Sequence, residues 1–272
     1  MTSSIDLNCD MGESFGLYTL GSDAEVAKHI TSANIACGFH AGDPAWMRKT
    51  VQLAEEHSIG VGAHPSFPDL SGFGRRPMSL SPQEVKDCIV YQMGALTAFT
   101  KGKRLQHMKV HGAMYNMAAG GGDLAKAICD AVLEVDSNVI LVVLAGSHWG
   151  EIARRMVLSV AVVAFTDRAV NPDGTLVDRK LPGAVLTDVE VIKERVVGMA
   201  REHRIIATNG AELEVQPDTL CLHGDTPGAV EMAAAIHSAL VSVGVTLLPF
   251  CLLYTSDAAD DTPCVDLGGR RI

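Results

Sequence analysis

The chain has 272 residues, room for one large α/β domain or two small ones. Apolar residues make up 47% and charged residues 20%, the balance of a globular protein with a sizeable core. A net charge of −10, with no Lys/Arg cluster longer than a pair, argues against nucleic-acid binding, and the absence of any apolar run of about 18 residues argues against a membrane span.

In chain order, apolar runs and turn residues predict a strand over 5–9, a helix over 22–30 opened by Ser22 and Asp23, a strand over 31–37, and a helix over 44–58 behind Asp43-Pro44. A strand over 59–64 leads into a long Pro/Gly-rich connection, 65–81. Ser81 then caps a helix over 82–101 with Pro82 at its first position. Strands over 106–110, 138–144 and 160–166 alternate with helices over 123–135 and 147–156. A second long connection, 167–186, precedes a helix over 187–203, a strand over 218–222, a helix over 226–243 and a last strand over 244–248. Such alternation predicts a parallel sheet with helices outside. No GxGxxG follows the first strand and no GxxxxGK[ST] occurs. Because polar groups gather at many strand ends rather than at one crossover point, a β/α barrel is expected over an open sheet. The two long connections are expected to serve as lids.

Residues 1–250 read as one barrel domain. After Phe250 the pattern stops, and Cys251–Ser256 and Cys264–Ile272 read as a translation of sequencing-adapter DNA, so 251–272 is expected to be a non-native tail. The seven Cys show no CxxC pair and fit buried reduced thiols; Cys9, beside Asp10, is the one reactive candidate. Met-Thr-Ser-Ser runs straight into a strand without a signal-peptide core, so a cytoplasmic location is expected.

Chemistry concentrates in five strand-to-turn segments: 5–13, 32–43, 60–65, 108–116 and 220–225. Asp6, Asn8 and Asp10 share one strand face by period two, and Glu13 follows a Met-Gly turn; neighbouring carboxylates raise one another's pKa, which suits a general base. His40, His64, His111 and His223 each follow a strand beside Gly, Ala or Pro, and fit either a general acid or, with Asp10, ligands for a divalent cation; the metal candidates are Asp10, His40 and His64. His29, His57, His107, His148, His203 and His237 read as structural. Lys109 and His111 face one way by alternation, placing Lys109 to stabilise an oxyanion or a transferred phosphoryl group. Tyr115 and Asn116, in the following loop, could hydrogen-bond a substrate. Asp225 reads as a helix cap or a site acid.

Read together, DLNCDMGESFG, TSANIACGFHAGDP, GVGAHPSFPDLSGFGRR, KVHGAMYNMA, FTDRAVNPDGTLVDR and CLHGDTPGAV resemble the LamB/YcsF family of 5-oxoprolinase A subunits, over about residues 5 to 250. The resemblance implies a seven-stranded β/α barrel of the glycoside hydrolase/deacetylase type and ATP-dependent opening of 5-oxo-L-proline to L-glutamate, together with B and C subunits. It implies ATP as co-substrate, with a divalent metal such as Mg a further candidate. Val110 and Thr166 depart from the family's usual Pro and Ala. Under that reading Asp10 or Glu13 activates water, His64 or His111 protonates the leaving nitrogen, and Lys109 stabilises the former carbonyl oxygen. Asn8, His40, Arg75, Arg76, Tyr115, Asn116, Asp167, Arg168, His223 and Asp225 are expected to bind substrate, the loop arginines as carboxylate clamps unless they pair locally with Asp69 or Asp173. Two alternatives stand beside it: a metal-dependent carbohydrate deacetylase and a non-catalytic small-carboxylate-binding regulatory subunit.

Overall fold

The computed structural model describes residues 4–250, so the expected tail 251–272 lies outside the described residues. The strands are β1 (Ser4–Met11), β2 (Ser32–Ala36), β3 (Gly60–His64), β4 (His107–Met108), β5 (Ile140–Leu144), β6 (Val160–Phe165), β7 (Arg204–Ile206), β8 (Glu212–Glu214), β9 (Thr219–His223) and β10 (Thr246–Leu247). Helices α1 (Asp23–Val26), α2 (Pro44–Glu56), α3 (Pro82–Thr97), α4 (Gly112–Ala118), α5 (Gly122–Val135), α6 (His148–Arg155), α7 (Val189–Arg201) and α8 (Ala229–Ser242) are interleaved with them. Parallel pairing runs β1-β2-β3-β4-β5-β6-β9 and closes from β9 to β1, giving a seven-stranded β/α barrel.

Helix starts follow local chemistry. Ser81 and Glu84 form a reciprocal capping box with Pro82 in the first turn of α3, and the Asp43 carboxylate accepts the Ala45 and Trp46 amides behind Pro44 in α2. On α5, Ala125, Ile128, Cys129 and Val132 fall on one buried face at helical spacing.

The barrel interior inverts the usual alternation. Asp6, Asn8 and Asp10 on β1 share rows with Ser32 and Asn34 on β2 and with Thr219, Cys221 and His223 on β9. The intervening Leu7, Cys9 and Met11 are also buried and turn to the helical layer. Only β5 and β6 bring an apolar inner row, with Val142, Leu144, Ala161 and Val163 in register. Gly62 stands in the row of His107, and any Cβ there would collide with the His107 ring. The barrel is therefore polar on one wall and apolar on the other.

Four elements differ from the sequence pattern. The first helix is a single turn, because Ala27 to His29 leave the helical ladder before β2 begins. β4 pairs formally over two residues, although Gln106 and Lys109 still bond to Val61 and Ala63 and keep the segment beside β3. A helix, α4, fills part of the expected loop after His111. Residues 204–214 form an antiparallel β7–β8 hairpin around Asn209-Gly210. The last strand, β10, pairs only with Ser4 and Ile5 outside the ring. It brings Phe250 edge-on against His107, with ring centroids 4.9 Å apart.

At the amino end of β1, Asp6 is fully buried among the hydroxyls of Thr31, Ser32 and Thr219, at 2.5–2.7 Å. Burial raises its carboxyl to about 7 despite those three hydrogen bonds. The folded chain thus keeps a proton that the unfolded chain releases near pH 3.8, so this contribution is fully present below that value and is lost as pH rises through about 7. Asp6→Asn should remove the loss, so urea titrations of the two proteins should diverge between pH 4 and 7 by a few kcal/mol in favour of the variant.

Candidate active site

Rigid strands bring the polar residues of five segments to one buried cluster at the carboxyl end of the barrel. Its centre is Asp10: Oδ1 accepts from Lys109 Nζ at 2.6 Å and from Asn34 Nδ2 at 2.8 Å, while Oδ2 lies 3.2 Å from His64 Nε2 and 4.0 Å from His223 Nε2. Burial alone would push the Asp10 carboxyl up, and His64 and the Lys109 ammonium outweigh it, holding the carboxyl well below its usual range. Burial would likewise lower Lys109, and Asp10 reverses this, keeping the ammonium charged. Lys109 Nζ also lies 5.5 Å from the centroid of the Phe165 ring.

Above this pair stands a second group. Glu13 Oε1 is 3.2 Å from His40 Nε2 and 3.6 Å from His111 Nδ1, and the His40 and His111 rings stack 3.9 Å apart. Burial, with the charges of Asp10 and Asp225, raises Glu13 well above a normal carboxyl. The same burial pushes His40, His64 and His111 down, against the opposite pull of Asp10.

Their tautomers follow from their partners. His64 Nδ1 donates to Lys109 O at 2.6 Å, and His111 Nε2 donates to Phe73 O at 2.9 Å. The remaining nitrogens, His64 Nε2 and His111 Nδ1, face each other at 2.9 Å and both carry lone pairs when the two rings are neutral. Ligand atoms of Glu13, His40, His64 and His111 all lie within 4.8 Å of one another, so this group could hold a metal ion.

His223 forms the opposite wall. Its Nδ1 is 2.9 Å from both oxygens of Asp167, a buried carboxylate that His223 holds below the usual range against the effect of burial, and its ring stacks on Phe165. Asn8 lies one layer deeper, where it donates to Thr219 and Leu220 and accepts from Asn34. His107, expected to be structural, bonds Asn34 Oδ1 at 2.7 Å, and burial lowers its imidazole to about 3.

The long connection 65–81 packs down over the cluster. Phe73 and Gly74 both take left-handed backbone angles; Phe73 meets the His40 and His111 rings edge-on, and Gly74 O accepts from Ala113. At the rim, Arg75 lies over the Phe73 face and pairs with Asp225 at 2.6 Å.

Other candidates are placed elsewhere. Arg76 turns outward to Asp69, the local pairing its loop position allowed. Arg168 reaches into the second connection and donates to Ala184 O and Val177 O, tying that loop down. Asn116 is exposed on α4. Tyr115 is buried edge-on between Trp149 and Phe165, and its hydroxyl has no partner among the described residues. Asn34, Phe73 and Phe165 were not legible as site residues. Asn34 carried a signal, a polar residue at period two within Ser32–Ala36, whereas the two phenylalanines carried none. A cleft of about 530 Å³ between β5–β6 and the β7–β8 hairpin shares Phe165 with this site and holds none of the acids or bases above.

Gly74 supports the lid directly: a Cβ there would collide with Ser66 Oγ and the His111 ring, at φ +63°. Gly74→Ala should therefore cost about 2–4 kcal/mol in urea unfolding and speed protease cleavage within 65–81. Unchanged values for both would show that the loop does not seat on the cluster.

A family model described as the LamB/YcsF family matches residues 5–253. The chain is 55% identical over 247 residues to the A subunit of 5-oxoprolinase from Pyrococcus furiosus, covering 90% of this chain and 97% of that one. It is 49% identical over 249 residues to the corresponding 5-oxoprolinase A subunit of Bordetella pertussis, covering 91% and 99%. Among solved structures, the lactam utilization protein from Thermus thermophilus superposes with a TM-score of 0.85 at 44% identity, covering 90% of this chain and 99% of that one. No helix among the described residues is long and apolar enough to cross a membrane.

Proposed function

The chain belongs to the LamB/YcsF family, and from that membership and the geometry of the barrel mouth we propose that it is the A subunit of a 5-oxoprolinase. It works with B and C subunits to open 5-oxo-L-proline to L-glutamate, with ATP as co-substrate. The observation that carries this reading is Lys109, an ammonium fixed inside the barrel by Asp10 and surrounded by histidines.

Opening a lactam adds water across its C–N bond. The carbonyl oxygen gathers negative charge, the attacking water loses a proton and the departing nitrogen gains one. Lys109 supplies the fixed positive charge for that oxygen, and serves it equally when the ATP γ-phosphoryl group has been transferred there to activate the carbon. Asp10 and Asn34 hold the ammonium in place.

Water is deprotonated at the Glu13 end, where a high-pKa carboxyl and the bare nitrogens of His64 and His111 converge. Both of those imidazoles direct their N–H groups at backbone carbonyls, so we assign proton delivery to His223 instead. Asp167 orients its ring and stabilises the imidazolium, as the acid of a catalytic triad does. Arg75 at the rim suits the substrate carboxylate. The chain carries neither GxGxxG after its first strand nor GxxxxGK[ST], so ATP is held either at an unconventional site here or on the partner subunits. A cytoplasmic setting goes with use of ATP.

Reconstitution with B and C subunits should release glutamate from 5-oxoproline only when ATP is present. Lys109→Met and His223→Asn should each lower that turnover by about 10²–10³ while the subunits still assemble. Failure of the complete complex to turn over would overturn the reading, and ATP-independent hydrolysis of an acetylated sugar would favour the deacetylase alternative.

A further inference from the structure

We propose that Glu13, His64, His111 and His40 form a binding site for one divalent transition ion of the zinc type, with Asp10 outside its ligand set. The first observation is the pair of lone pairs at His64 Nε2 and His111 Nδ1. Each ring's only N–H already donates to a main-chain carbonyl, Lys109 O or Phe73 O, and the two bare nitrogens face each other at 2.9 Å. Two ring nitrogens facing each other at this distance need a shared proton or a cation between them, since buried polar atoms are rarely left without a partner. No hydrogen bond from the described residues reaches that point: Lys109 Nζ is bonded to Asp10, and Glu13 Oε1 stands 3.6 Å from His111 Nδ1.

Spacing agrees with a coordination shell. Metal–nitrogen and metal–oxygen bonds of about 2.0–2.2 Å place neighbouring ligand atoms about 3.0–3.5 Å apart in octahedral or tetrahedral shells. The separations here are 2.9 Å between His64 and His111, 3.2 Å between His40 Nε2 and Glu13 Oε1, and 3.6 Å between His111 and Glu13. His40 Nε2 faces Glu13 Oε1 at 3.2 Å and Nδ1 is buried without a partner among the described residues, so taking up the ion would shift the ring's proton to Nδ1 and free Nε2.

The outer contacts match as well. Histidines that bind metals commonly donate their second N–H to a backbone carbonyl, which fixes the ring and raises its basicity. Three imidazoles and one carboxylate suit Zn²⁺, Co²⁺ or a similar borderline ion better than Mg²⁺, which prefers an all-oxygen octahedron. Asp10 Oδ1 is saturated by Lys109 and Asn34, and although Oδ2 lies 3.2 Å from His64 Nε2, Asp10 is not among the residues whose ligand atoms all lie within 4.8 Å of one another. The ligand set therefore differs from the Asp10, His40 and His64 expected from sequence.

The inference rests on this geometry and not on lactam opening; a bound ion would occupy the lone pairs assigned above to the base and would itself supply the activation of water, and the test uses metal alone. The full chain, stripped with dipicolinate and dialysed, is titrated with Co²⁺ while visible ligand-field absorption is followed, and then challenged with Zn²⁺. One equivalent of Co²⁺ should give a saturable band that Zn²⁺ abolishes, and the thermal midpoint should rise with metal concentration. Glu13→Gln and His111→Asn should weaken uptake by about 100-fold or more, whereas Asp10→Asn should keep one-to-one stoichiometry. If wild type shows no band, the proposal fails whether or not the variants fold; it fails equally if His111→Asn binds as wild type does or if Asp10→Asn abolishes binding. A chain that takes up no metal and still opens the lactam with its partners would overturn this inference alone.

Discussion

One interaction constrains the rest of the molecule: the ion pair of Lys109 and Asp10 inside a closed barrel. A buried ammonium or carboxylate is costly by itself, and each becomes tolerable only when the other is within hydrogen-bond reach and the remaining lone pairs are filled. Asn34 fills one of them, and His107 and Asn8 fix Asn34 in turn. The polar inner wall is a chain of such obligations, running from His107 on β4 to Thr219 on β9. Where no charge has to be satisfied, on β5 and β6, the inner row is apolar and ordinary.

That division of the wall organises the chemistry. The ammonium sits where the polar wall meets Phe165, so its charge is exposed to a low-dielectric face rather than to water. On one side a neutral histidine group and a high-pKa carboxyl gather lone pairs. On the other, Asp167 holds a single histidine by one nitrogen and leaves the other directed inward. An electrophilic charge flanked by a proton acceptor and a proton donor is the minimum that hydrolysis of a stable amide requires. The lid contact of Phe73 and Gly74 shields the acceptor side.

Much of this could be read from the chain, for a physical reason. Strand-end segments such as KVHGAMYN and CLHGD join β-period spacing to Gly and to titratable residues, and a parallel barrel must point such ends at one mouth. Lys109 and His111 could be placed together by alternation alone, as could Asp6, Asn8 and Asp10. Less legible was whatever depends on contacts between distant segments. Phe165 has no chemistry of its own and matters only because register with Cys221 turns it inward. Arg76 and Arg168 looked equivalent to Arg75, yet Asp69 and two loop carbonyls capture them. The Asn209-Gly210 turn was a hairpin signal in plain view, missed because short strands on either side of it interrupt a helix-to-strand connection.

The central claim is that the barrel is built around mutual neutralisation of Lys109 and Asp10. A double-mutant cycle of Lys109→Met and Asp10→Asn, read by urea unfolding at pH 7, tests it most directly. Each single change leaves a polar or charged partner buried without its counterion, so each should cost about 3–5 kcal/mol. The double variant should be more stable than either single variant, with a coupling of about 3 kcal/mol or more. Additive losses, agreeing within about 0.5 kcal/mol, would contradict the account.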